Sequence, residues 1–191
     1  MIESFTEFNA EGVEILVELK YPIERKVSSK DKIAYINSPS KKGIMWVYKG
    51  KKIVIQDASV SVQGLPSVEL NSVIAVYSGM SGAFPPPNNA VIYNLDGSIR
   101  KVLEMPSFIS ELIRKRLTFL NEPNPPLSWA KYEEGGLCFG GFAWREKSNR
   151  VVVNSISLEM ERGSYEIREL NVEQGTFGEC LQSGLTMYAK Y

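Results

Sequence analysis

No histidine occurs among the 191 residues of this chain, and cysteine occurs only twice. Histidine is the usual general base near neutral pH, the orienting partner of serine and cysteine nucleophiles, and the commonest metal ligand. Its absence removes the Ser-His and Cys-His hydrolases and most catalytic zinc sites. Cys138 and Cys180 stand 42 residues apart with no Cys-x-x-Cys between them, so a structural zinc site is not expected. Long apolar runs are missing as well. No stretch approaches the roughly 18 residues that a membrane-spanning helix needs. The opening Met1-Ile2-Glu3-Ser4-Phe5-Thr6-Glu7 has acids where a signal peptide would have bases and then an apolar run. Reduced thiols and a cytoplasmic location are the expectation. No internal repeat of roughly 20–50 residues is present, which argues against a propeller or solenoid.

An excess of one charge is absent too, since 22 Lys and Arg balance 22 Asp and Glu. The balance is global, not local. From Lys20 to Lys52, ten basic residues stand against Glu24 and Asp31, whereas from Asn121 onward seven basic residues meet ten acidic ones. A basic stretch interleaved with Tyr21, Tyr35, Trp46 and Tyr48 could track a nucleic-acid backbone and stack bases. The plainer reading places those lysines in turns and on sheet edges, where they prevent edge-to-edge pairing. The turn-like Ser38-Pro39-Ser40-Lys41-Lys42-Gly43 and Lys49-Gly50-Lys51-Lys52 favour it.

What is present points to a folded, β-rich chain. A 43% hydrophobic and 23% charged composition excludes wholesale disorder, and the length can bury a core without covalent staples. The periodicity is mostly two. Residues 13–20 alternate Val13, Ile15, Val17 and Leu19 with Glu14 and Glu18, a half-buried strand. Strands are also expected at 32–36, 44–48 and 52–56, and the apolar run 68–78 suits a well-covered strand. Residues 79–89 contain three successive prolines and read as a loop. Asp96-Gly97 between the β-branched runs 90–94 and 98–103 marks a tight hairpin. After Pro106 and Ser107, the spacing of Phe108, Ile109, Leu112, Ile113, Leu117 and Leu120 predicts a helix, stopped by the proline-rich 121–127. Strands resume at 137–146, 150–159 and 164–172. A short helical turn is expected within 175–184 and a closing strand at 185–191. The fold class is therefore mainly β (α+β), antiparallel meanders of about 10–12 strands with one clear helix near 107–120. It forms a single domain over 1–191, with 121–127 as the place where lobes 1–120 and 128–191 would divide.

Motifs for chemistry fail on context. Gly79-Met80-Ser81-Gly82-Ala83 resembles a nucleophile elbow, but Ala83 stands at the second glycine and prolines follow instead of a helix. Ser29-x-x-Lys32 and Ser38-x-x-Lys41 would need a desolvated lysine, which a basic, turn-rich segment does not supply. The glycines of 134–143 lack a P-loop ending. They read better as a bulge or as close packing against an aromatic ring. The proline segments 84–87 and 123–126 read as stiff connectors. Glu133, Glu134 and the glutamates of the last third form either a solvated face or a patch that captures a basic partner. A carboxylate-dependent carbohydrate protein is the other alternative, with Trp46, Trp129 and Trp144 as stacking platforms.

The hairpin around Asn94-Leu95-Asp96-Gly97-Ser98, followed by Arg100 and then by Pro106, resembles a segment of small bacterial proteins of toxin–immunity loci. In overall character the chain is similar to the cytoplasmic immunity proteins of contact-dependent growth inhibition and other polymorphic toxin systems. Such proteins share no single fold, so the resemblance implies a role and no particular site. That role is a catalytically silent protein that binds one toxin domain in a 1:1 complex and blocks it. No catalytic residue, metal or cofactor is expected, and no membrane partner. A nucleic-acid partner ranks second to a protein partner. The contact surface is expected to draw on Phe84, Trp129, Glu133, Glu134, Glu166 and Glu169, aromatic anchors ringed by charge.

Overall fold

The computed structural model of the chain describes residues 1–114, 137–160 and 164–185. Thirteen strands among these residues form three antiparallel sheets, and the protein is mainly β. Sheet A holds β1 (Ser4–Asn9), β2 (Glu14–Glu18), β3 (Glu24–Lys26), β4 (Lys42–Tyr48) and β5 (Lys51–Ile55) in the order β3-β2-β1-β4-β5. Helix α1 (Ser29–Asn37) lies between β3 and β4 in the chain. Sheet B is the meander β6 (Ser61–Pro66), β7 (Ser72–Ser78), β8 (Ala90–Asn94) and β9 (Ile99–Leu103). Sheet C is the meander β10 (Leu137–Glu146), β11 (Val152–Met160), β12 (Ser164–Asn171) and β13 (Thr176–Leu185).

Sheet B is covered on both faces. Successive strand residues point to opposite sides, yet every residue from Ser72 to Tyr77 and from Ala90 to Tyr93 is buried. The continuous apolar run at 68–78 had that signature. Sheet A reaches sheet B through Ile44, which sits against Gly64, and through Trp46, whose indole N–H donates to the Leu95 carbonyl at 2.8 Å. Sheet C reaches it through Trp144, whose indole N–H donates to the Pro66 carbonyl at 2.8 Å. Asn89, at the start of β8, adds a side-chain bridge. Its Nδ2 donates to the Tyr77 and Phe139 carbonyls at 2.8 and 2.9 Å, and its Oδ1 accepts from the Phe139 N–H at 2.7 Å. Phe139, Trp144, Ile156 and Leu158 of sheet C share one hydrophobic core with Trp46, Val73 and Ile92. The segment 121–127, where two lobes would divide, lies outside the described residues.

Three expectations are corrected. Residues 32–36 are not a strand but part of α1. Ser28 is its N-cap: its Oγ accepts from the Asp31 N–H at 3.1 Å and donates to the Asp31 carboxylate at 2.6 Å. No side chain of α1 is buried, and Ile33 and Ile36 are each 59% exposed. Its Tyr35 ring lies under the Lys42 ammonium at 4.9 Å. Partial burial pushes the Tyr35 hydroxyl pKa up to about 12. Residues 176–185, expected to include a helical turn, are strand β13 throughout. The hairpin is present with Leu95-Asp96-Gly97 as its loop, but of the Asp-Gly pair only Gly97 has a positive φ (86°). Of the helix expected at 107–120, residues 111–114 are helical, and 115–120 lie outside the described residues.

The proline loop is held down by Asp57. Its carboxylate accepts from the N–H groups of Ala83, Ser59 and Val60 at 2.8, 2.7 and 3.1 Å, and these bonds, Ala83 first, lower its pKa. A carboxyl with a depressed folded-state pKa contributes stability above its unfolded value of about 3.9, and that stability is lost as pH falls through the folded value. The stability difference between wild type and Asp57→Asn is therefore expected to shrink on acidification. A difference of equal size at neutral and strongly acid pH, read from denaturant midpoints, would assign the effect to something other than this carboxyl.

Candidate functional site

The face of sheet C turned away from the core carries a groove, and its origin is visible in the sequence. Gly140-Gly141 breaks the β10–β11 register between Phe139 and Gly141, a β-bulge of the kind expected for paired glycines in a strand. The group lying against Gly140 is the Glu159 carboxylate, not an aromatic ring. A bulge bends and twists its strand, and β13 adds register irregularities opposite Arg168. The two outer strands of the sheet meet over this face through their side chains, with Arg145 Nη1 on β10 3.4 Å from Gln182 Oε1 on β13.

Two ranks of register partners cross this face. Cys138, Glu159, Tyr165 and Gly184 form one, and Gly141, Ser157, Ile167 and Gln182 the other. They and their neighbours enclose a depression of about 490 Å³, within the range of ligand pockets. Glycine, alanine and serine make much of its floor, so the walls are set by Arg145, Glu159, Tyr165 and Gln182. The Gln182 amide donates to the Tyr165 hydroxyl at 2.9 Å. Ser157 donates to Glu159 at 3.2 Å and Ser155 to the Ala143 carbonyl at 2.8 Å, so both hydroxyl protons are engaged. A second depression of about 660 Å³ shares Ala143 and Arg145 with the first and continues past them to Tyr21. Both cysteines are free thiols. Burial, then the nearby Glu159, raises the pKa of Cys138; burial, then Glu166, raises that of Cys180. Neither is primed as a nucleophile.

The residues expected to form a contact surface are dispersed. Glu166 is not on any surface: it is 0% exposed, on the core side of β12. There it accepts from the Ser110 backbone N–H and lies 3.6 Å from Arg168, which itself donates to the Gly178 and Ser107 carbonyls. Segment 107–110 covers this pair, and Ser110 Oγ bonds Ser183 Oγ across it at 2.9 Å. Glu169 is half-buried and holds Lys147, which also pairs with Glu179. Phe84 is partly buried, edge-on to Tyr77 with ring centroids 4.9 Å apart. Trp129, Glu133 and Glu134 lie outside the described residues. Of the carbohydrate platforms, Trp46 and Trp144 are core residues, 1% and 9% exposed. Trp129 lies outside the described residues.

The basic stretch is partly neutralised. Arg25 pairs with Glu7 in two bonds of 2.8 and 2.7 Å, Lys20 and Lys26 pair with Glu18, and Lys42 and Lys49 sit over Tyr35 and Tyr48. Lys51 and Lys52 lie on β5, the edge of sheet A, where they guard against pairing. Sequence reasoning missed Arg145 and Tyr165 as site residues. The signal available was the Gly-Gly inside a strand, which marks where a sheet can bend.

Among the described residues, no helix is long and apolar enough to cross a membrane. No protein-family model, curated protein or solved structure matches the chain.

Proposed function

We propose that this chain is a non-catalytic binding protein that engages another protein through the groove of sheet C, in the manner of a cytoplasmic immunity protein blocking a toxin domain. One observation carries the reading. Arginine and tyrosine are the side chains that most often anchor protein interfaces, and the groove presents Arg145 and Tyr165 over a floor of small residues. The engaged Ser155 and Ser157 hydroxyls and the unprimed thiols accord with binding without turnover.

The test is light scattering on the tagged full chain purified from its own cell at moderate salt. A complex of defined 1:1 mass is expected, and the Tyr165→Ala variant, itself folded, is expected to lose most of it. A chain that emerges alone, or whose partner is removed by nuclease, would overturn the reading.

A further inference from the structure

We propose that the groove at Arg145 receives an acidic, extended segment of the partner, with a partner carboxylate seated on the Arg145 guanidinium; this rests on the protein-binding reading above. A guanidinium offers five N–H donors and never loses its charge. Arg145 uses one, in a bond to Gln182 Oε1 that is long at 3.4 Å. Its Nε is sealed from solvent and has no acceptor.

None of the neighbouring carboxylates pairs with Arg145. Glu159 accepts from Ser157 and lies over Gly140, Glu169 and Glu179 hold Lys147, and Glu166 is on the opposite face with Arg168. Arg145 thus has no counter-ion among the described residues. A partly desolvated cation is costly until paired, and the planar fork of arginine matches a carboxylate in two parallel hydrogen bonds. Glu166 and Glu169 build no acidic patch on this face, because Glu166 is buried on the core side and Glu169 is held by Lys147.

Shape supports an extended occupant. The two depressions meet at Ala143 and Arg145, with Tyr165 lining one and Tyr21, 42% exposed, lining the other. Gly141 and Ala143 leave room along the floor for a main chain. A nucleic-acid backbone would need a run of free cations, and the next one along, Lys147, is already held by two glutamates.

The experiment is an NMR titration of the ¹⁵N-labelled full chain. The probes are a blocked peptide of alternating glutamate and alanine, its glutamine counterpart, and inorganic phosphate. The acidic peptide is expected to shift the Arg145 Nε–H and the amides of Gly141, Ala143 and Gln182. Arg145→Gln is expected to weaken binding about 10- to 100-fold, the equivalent of one charge-assisted pair. Gln182→Glu keeps the arginine but places a carboxylate against it within the chain, and is expected to weaken the peptide to a similar degree without loss of fold. Equal shifts with the glutamine peptide, the same shifts with phosphate alone, or no shifts with any probe would overturn the proposal. So would a native complex unaffected by Arg145→Gln, although that result would leave the protein-binding reading standing; failure to find any protein complex would overturn that reading instead.

Discussion

Replacing Asn89 with alanine is expected to cost about 3–5 kcal/mol of folding stability, because three buried backbone groups lose their only described side-chain partner at once. The Tyr77 carbonyl and both the N–H and carbonyl of Phe139 bond this one amide. Asn89 is itself 2% exposed, so water has no ready route to replace it. The substitution also frees β10 immediately before its bulge, because Phe139 precedes Gly140. Loss of stability and loss of groove geometry should therefore travel together. Urea denaturation would read the first and the amide shifts of Gly141 and Ala143 the second. A cost below about 1 kcal/mol, the worth of one ordinary hydrogen bond, would mean that the bridge does not tie sheet B to sheet C.

Glu166→Ala is the second large effect, expected at about 3–5 kcal/mol, since it removes one partner of a covered ion pair and strands the other charge. Arg168, 6% exposed, would keep only the carbonyls of Gly178 and Ser107 as acceptors, and the Ser110 N–H would lose its own. Replacing both charges by methionine is expected to cost less than the single change, because no unpaired charge is then left under segment 107–110. Denaturation midpoints of the two variants decide the matter. If the double variant is the less stable, the pair contributes more than its desolvation cost, and the covered-charge account fails.

Legibility followed local physics and stopped where distant segments intervened. The β8–β9 hairpin, the full length of β10, and β11 and β12 to within two residues could be read from alternation and turn residues. β1, β3 and β6 were not read. Gly64 and Pro66 give β6 the look of a loop, and β3 is a three-residue edge strand with no buried residue. The strand reading of 32–36 overlooked Ser28 and Asp31, whose spacing is that of a helix cap. The site itself was the least legible part. Along β12, the rule of polar residues outward is inverted: Glu166 and Arg168 face the core side while Tyr165 and Ile167 line the groove. Nothing within the strand signals this inversion, which depends on Ser107 and Ser110 arriving from more than fifty residues away.

The burial of sheet B on both faces has a cost during folding. Residues 73–77, Val-Ile-Ala-Val-Tyr, carry no charge and no proline and favour extended structure, so any chain with this hairpin uncovered offers a template for aggregation. Covering it requires segments from both sides in the chain, Ile44 and Trp46 before it and Phe139 and Trp144 after it. During synthesis the hairpin emerges well before its second cover, and a product truncated ahead of β10 never acquires it. The element best protected in the native state is the one most in need of chaperoning before that state is reached.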